Sequence, residues 1–153
     1  MWDDFDENED WDEESEFDPK AHRDQIYSHP LMKKANEILS LTHALVGSLD
    51  EARRELYGGM MMEDAMMLST KFAGAEGVSD YILKMENAVI IKIHARSLLA
   101  RTASLKYLEL VAPAYLQLLR DEIEAFRLLF LKWIATFHLD TTKEGDGWGL
   151  FVD

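Results

Sequence analysis

The chain of 153 residues contains no cysteine. Without a thiol it cannot form disulfides, thiolate zinc sites or a cysteine nucleophile, and the redox compartment is left undetermined. No apolar run approaches the roughly 18 residues that a membrane-spanning helix requires. The N-terminus carries acidic residues where a secretory signal needs a positive region followed by an apolar one. These absences lead us to expect a soluble, cytoplasmic protein.

Positive charge is missing from residues 1–18, although the whole chain has 16 Lys and Arg side chains. The same segment contains eleven acids, so most of the formal net charge of -13 belongs to it. Such a segment buries too little apolar area to offset its chain entropy. We therefore predict a disordered acidic tail that continues into a linker ending at about residue 28, with Pro19 discouraging an earlier helix.

Four large aromatic side chains interrupt the acids of this tail. The acids would attract a basic surface over a long range, and the aromatics would anchor there. The pattern predicts a binding motif for a basic protein partner, with a simple solubilising tail as the alternative. Nucleic acid would be repelled, so we expect no direct binding to it. The candidate partner-binding residues are Trp2, Phe5, Trp11 and Phe17 in the tail, and Trp148 and Phe151 in the C-terminal tail over residues 140–153.

Strand-type alternation of useful length is absent, whereas a three-four spacing of apolar residues recurs along residues 29–139. In the clearest example, seven apolar residues from Leu116 to Phe137 alternate steps of three and four, as the seam of a helix bundle requires. Pro113 opens that helix, and Gly58-Gly59 is expected to end the first one. We predict an all-α fold, an antiparallel up-down four-helix bundle. Its helices are expected at about 30–56, 61–76, 80–108 and 113–138.

The third predicted helix is apolar on more than one face, since Ile82, Val89, Ile93 and Leu98 do not share a single stripe. A helix that is hydrophobic around most of its circumference must be buried, either centrally or against a second subunit. The pattern therefore predicts a homo-oligomer.

Motifs of the common catalytic and metal centres are not found in the sequence. A di-iron or di-manganese bundle needs Glu-x-x-His pairs, and no Glu is followed by His at that spacing. A glycine-rich phosphate loop, a nucleophile elbow and a nucleophile–base pair are also missing. We predict no catalytic residue, no metal and no cofactor.

His94 is the exception that sequence alone leaves open. It lies in the middle of the third predicted helix with Lys92, Arg96 and Arg101 nearby, which is the setting of a histidine phosphotransfer domain. Those domains place a lysine and a small residue three and four positions after the histidine, where this chain has Ser97 and a leucine. We favour a partly buried, hydrogen-bonded histidine and keep a phosphoacceptor role as the alternative.

The stretch from Ser69 to Gly77, followed by Tyr81-Ile82, resembles the four-helix-bundle proteins encoded in intervening sequences of bacterial 23S ribosomal RNA genes. Helix 2 of that family ends in an Asn-Ile-Ala-Glu-Gly-like sequence before a short turn into a long helix 3. Residues 75–77 match its end, whereas Phe72-Ala73-Gly74 does not reproduce its Asn and Ile. The resemblance implies a homo-oligomer, with pentameric rings known in the family and in related accessory proteins of diversity-generating retroelements. Those accessory proteins bind a reverse transcriptase and nucleic acid through basic surfaces, a basicity that this chain lacks.

Three functions are consistent with these features. The leading prediction is a non-enzymatic, oligomeric interaction or scaffold protein that presents its tails to partners. The alternatives are a phosphotransfer protein that uses His94 and an acidic inhibitor-type protein that binds a basic partner through residues 1–18.

Overall fold

The computed structural model describes residues 17–152, and every regular element in that range is helical. Five α-helices of ten or more residues occur there, together with a short helical turn of three residues (α3) and a π-helical segment. Residues 1–16 of the predicted acidic tail lie outside the described residues. The bounds are α1 (Pro19–Ser28), α2 (Pro30–Gly47), α3 (Glu51–Arg53), the π-segment (Arg54–Gly58), α4 (Gly59–Glu76), α5 (Tyr81–Tyr107) and α6 (Pro113–Ile134).

Residues 19–28, which the sequence predicted to be linker, form helix α1 instead. Pro19 occupies the first helical turn, where its missing N–H costs nothing because that group has no partner within a helix. Asp18 caps the helix, and its side chain accepts a hydrogen bond of 3.0 Å from the backbone N–H of Lys20. His29 then separates α1 from α2 and caps α2, with Nδ1 accepting from the N–H of Leu31 at 3.0 Å. The prediction was wrong because it treated this proline as a breaker rather than as a helix start.

Helix α2 ends at Gly47, nine residues before the predicted end, and Gly58-Gly59 does not stop a helix. Asp50 starts a new one, because its side chain accepts from the N–H of Arg53 at 3.0 Å. The helical chain then continues through the π-segment into α4. Gly58 allows the end of the π-segment to approach α2 closely, since a Cβ at this position would lie 2.8 Å from Cγ1 of Val46. Gly58, which we predicted to end a helix, therefore permits close packing between two helical segments instead.

The two adjacent glycines give a matched test of this contact. Gly59→Ala is expected to raise the free energy of unfolding by about 0.5–1 kcal/mol, because alanine is the better helix former and nothing lies within 4 Å of the new Cβ. Gly58→Ala gains the same propensity but forces the stiff Val46 side chain to move, at a cost of about 1–3 kcal/mol. In urea unfolding followed by circular dichroism, Gly59→Ala should be more stable than Gly58→Ala. Equal stability of the two variants would contradict the close contact between Gly58 and Val46.

Each of the four long helices α2, α4, α5 and α6 packs against two of the others. Contacts run from α2 to α4, from α4 to α5, from α5 to α6 and from α6 back to α2. The buried side chains of α6 come from the seam predicted in the sequence, with Phe130 and Phe137 only partly buried. Those buried side chains are Leu116, Leu119, Ile123, Phe126 and Trp133.

The methionines of α4 differ in their burial. Met62 is partly buried and Met66 is 48% exposed, whereas Met61 is fully buried. The run of methionines made neighbouring faces of this helix equally apolar, so periodicity could not choose between them. The residues that α4 buries are Met61, Asp64, Ala65, Leu68, Phe72 and Ala75.

One ion pair joins α2 to α6 at the edge of this core. The ammonium of Lys34 lies 2.7 Å from a carboxylate oxygen of Glu122 and 2.6 Å from one of Glu37. Hydrogen bonds to Glu122 and then Glu37 raise the pKa of Lys34 above its usual value. The stabilisation from a raised lysine pKa is present below the unfolded value and is lost as the pH rises through the folded one. Lys34 stays charged at neutral pH.

An aromatic cluster closes the end of the molecule where α4 and α6 terminate. The ring of Trp133 packs against Phe72, Phe130 and Phe137 with centroid distances of 5.2, 5.8 and 4.7 Å. Its indole N–H donates a hydrogen bond of 2.6 Å to the carboxylate of Glu76. Glu76, the central residue of the Ala75-Glu76-Gly77 motif, thereby ties the last turn of α4 to α6. No helix within residues 17–152 combines the length and apolarity needed to cross a membrane.

Candidate functional site

A buried carboxylate joins α4 to the middle of α5. Asp64 is 6% exposed, and its Oδ1 lies 2.8 Å from Nδ1 of His94. Its Oδ2 accepts a hydrogen bond of 2.8 Å from the hydroxyl of Ser97. The Nε of Arg101 lies 3.6 Å from the same oxygen, within ion-pair range, but has no hydrogen-bond partner among the described residues. Three side chains of α5 therefore converge on one acid of α4, and we call this group the Asp64 cluster.

The Asp64 cluster orients the His94 ring but does not pair a nucleophile with His94 as its base. An acidic partner at Nδ1 favours the tautomer with the proton on Nδ1 and leaves Nε2 as the free ring nitrogen. Ser97 donates to the carboxylate rather than to the imidazole, so the two do not form the Ser–His pair of a nucleophile and its base. Within residues 17–152 no three His, Asp or Glu side chains come together in a way that could hold a metal ion.

His94 is partly buried, with its side chain 19% exposed, and it is hydrogen-bonded, as the favoured sequence interpretation expected. Its partner Asp64 was missed. The available signal was a polar residue on the row Met61, Asp64, Leu68 that is otherwise apolar at helical spacing. The phosphoacceptor role of His94 remains a prediction.

A groove of about 390 Å³ opens between α5 and α6. Its floor is apolar and includes Ala95, Leu99 and Phe130, while most of its rim is cationic. Four cations line the groove against one carboxylate, that of Glu124. Glu124 is bound by Arg127 through bonds of 2.6 and 2.9 Å. The four cations are Lys92, Arg96, Arg120 and Arg127.

The outer side of α5, next to this groove, exposes a second apolar surface. Ile93 is 57% exposed and Val89 37% exposed, four residues apart and therefore on one face of the helix. Glu86 and Arg96 flank them on the same side, and neither forms an ion pair within residues 17–152. We call Glu86, Val89, Ile93 and Arg96 the α5 stripe. Val89 and Ile93 together leave an apolar strip on this face of α5 open to solvent.

The structure does not gather the predicted partner-binding aromatics into one site. Trp2, Phe5 and Trp11 lie outside the described residues. Phe17 is 71% exposed and tilts against the ring of His22 at 5.5 Å. In the C-terminal segment, Trp148 is largely exposed and Phe151 is partly exposed with a positive φ of 67°. Their roles in binding stay predictions.

Comparisons with known proteins give no match: no family model fits the chain, and neither the curated proteins nor the solved structures contain a similar one. The likeness of residues 69–77 to the intervening-sequence proteins therefore rests on the sequence motif alone.

Proposed function

We propose that this chain is a non-enzymatic, self-associating interaction protein built as an antiparallel four-helix bundle. The α5 stripe is the observation that carries the proposal. The closed ring of contacts among α2, α4, α5 and α6 supports the bundle, and the pairing of Ser97 with Asp64 rather than His94 weighs against a hydrolytic enzyme. The chain would act as a scaffold by bringing several copies of itself together.

The stripe is complementary to itself under a two-fold rotation. If two copies of α5 cross antiparallel at the level of Ile91, Val89 of each copy faces Ile93 of the other. The same operation places Glu86 opposite Arg96, so that each contact carries two ion pairs around an apolar centre. Both charges lack a partner within the described chain. This pattern favours a two-fold contact, whereas the family resemblance implies a pentameric ring.

Light scattering on the full chain tests the proposal. We expect a particle of twice the chain mass of 17.6 kDa at micromolar concentration. Ile93→Glu should weaken association at least tenfold, because it buries an unpaired charge at the centre of the contact. The control is Leu118→Glu, which changes a leucine of α6 that is 47% exposed and should leave the mass unchanged. If the wild-type protein stays monomeric, self-association is contradicted. A particle of five times the chain mass would indicate a ring instead of the two-fold contact.

A charge exchange checks the orientation of the two copies. Glu86→Arg and Arg96→Glu should each weaken association, because each places like charges opposite one another. The double variant restores opposite charges across the interface, so it should recover association to within a few-fold of the wild type. A double variant weaker than both single variants would exclude the antiparallel pairing of α5.

A further inference from the structure

We propose that residues 1–16 of this chain dock into the groove between α5 and α6 of the same molecule. The groove and the α5 stripe lie next to each other on α5 and share Arg96. The inference does not depend on self-association, because Lys92 and Leu131, the groove residues that its test changes, lie outside the stripe. Its basis is the chemistry of the groove, the composition of the N-terminal segment and the position at which the described chain begins.

Charge complementarity is the first argument. Residues 1–16 contain ten acids and no Lys or Arg. The groove has four cations and one carboxylate, and that carboxylate is already held by Arg127. Lys92 and Arg96 form no ion pair within residues 17–152. An acidic segment is thus the kind of partner for which this rim supplies unsatisfied counter-charges.

The groove also fits the aromatic side chains of the segment. Its volume of about 390 Å³ is large enough for bulky rings, and eight of its thirteen lining residues are apolar. Trp2, Phe5 and Trp11 are spaced among the acids. An aromatic anchor in an apolar pocket, surrounded by complementary charges, is the arrangement that contributes most to binding in protein interfaces.

The described chain begins at Phe17, two residues before α1, and α1 is about 15 Å long and ends beside His29. The ring of His29, at the start of α2, packs 4.8 Å from Phe72, which packs on Trp133 near the end of α6. Ile134, the next residue, lines the groove. Sixteen residues span at most about 50 Å, and the groove lining on α6 from Arg120 to Ile134 covers about 20 Å of helix. A segment attached this closely has an effective concentration on the order of millimolar, which favours docking within one chain over docking between chains at micromolar concentration.

Photo-crosslinking on the full chain tests the proposal, with Trp11 replaced by p-benzoyl-phenylalanine. We expect crosslinks to map to residues 91–99 and 120–134 and to migrate as single chains on a denaturing gel. Lys92→Glu and Leu131→Glu should each lower the yield at least fivefold, and so should 0.5 M salt. Lys33→Glu, the same charge change at an exposed position of α2, should leave the yield unchanged.

Three outcomes would overturn the docking: crosslinks mainly on α2 or α4, crosslinks mainly between two chains, or a yield that Lys92→Glu does not lower. The test is separate from that of self-association. If the protein is monomeric and the crosslinks map to the groove, the proposed self-association is contradicted and the docking is supported. If the protein is a dimer and the crosslinks map elsewhere, the docking is contradicted and self-association is supported.

Discussion

Replacing Trp133 by alanine is expected to lower the free energy of unfolding by about 3–5 kcal/mol, the usual cost of removing a buried large aromatic side chain. Trp133 is 3% exposed and touches rings contributed by both α4 and α6. Its removal leaves a cavity at the end of the core and deprives Glu76 of the indole donor. Since small domains have a total stability of about 5–15 kcal/mol, the loss would be a large fraction of the whole.

Two further variants divide this effect into packing and hydrogen bonding. Trp133→Phe keeps a ring in the cluster but removes the N–H that donates to Glu76, so we expect a loss of about 1–2 kcal/mol. Trp148→Ala removes the same side chain from a position that is 81% exposed, and should change stability by less than about 0.5 kcal/mol. Urea titrations followed by far-UV circular dichroism give all three values. A loss below about 1 kcal/mol for Trp133→Ala would contradict the burial of this residue.

The regular helices could largely be anticipated from the sequence because their signals are strong and local. Pro113 marks the start of α6, and Asp80 caps α5 one residue before its first turn through a hydrogen bond from Leu83. The predicted third helix at 80–108 is observed at Tyr81–Tyr107. The spacing of apolar residues and the capping residues both lie within a few positions of the helix ends that they predict.

The errors arise where a local signal has two physical meanings. Gly58 can end a helix or let two helices approach, and only the distance to Val46 decides between them. Pro19 can break a helix or begin one, and the cap at Asp18 makes it a beginning. The apolar row that contains Asp64 indicates that this acid is buried, whereas its partner His94 is identified only when α5 is known to pack against α4. These distinctions depend on residues distant in the sequence, which periodicity cannot report.

Replacing Asp64 by alanine is expected to lower the free energy of unfolding by about 3 kcal/mol, since each buried polar group left without a partner costs about 1–3 kcal/mol. The change removes the acceptor shared by His94 and Ser97 and the counter-charge of Arg101. The two basic side chains are 19% and 25% exposed, so water recovers part of the loss. Glu63→Ala, at the exposed neighbouring position, is the control and should change stability by less than about 0.5 kcal/mol.

A combined variant distinguishes hydrogen bonding from packing as the reason for this cost. If Asp64→Ala is destabilising because it strands Ser97 and His94, then adding Ser97→Ala and His94→Leu removes the stranded groups as well. Apolar replacement of hydrogen-bonded groups is often neutral, and Arg101, which keeps its charge, is 25% exposed to water. The triple variant should therefore recover about 1–2 kcal/mol relative to Asp64→Ala alone. A triple variant less stable than Asp64→Ala would contradict this account and would show that the three side chains stabilise the α4–α5 interface mainly through their volume. Recovery would instead mean that the network adds little net stability, and that its contribution is to fix which turn of α4 faces which turn of α5.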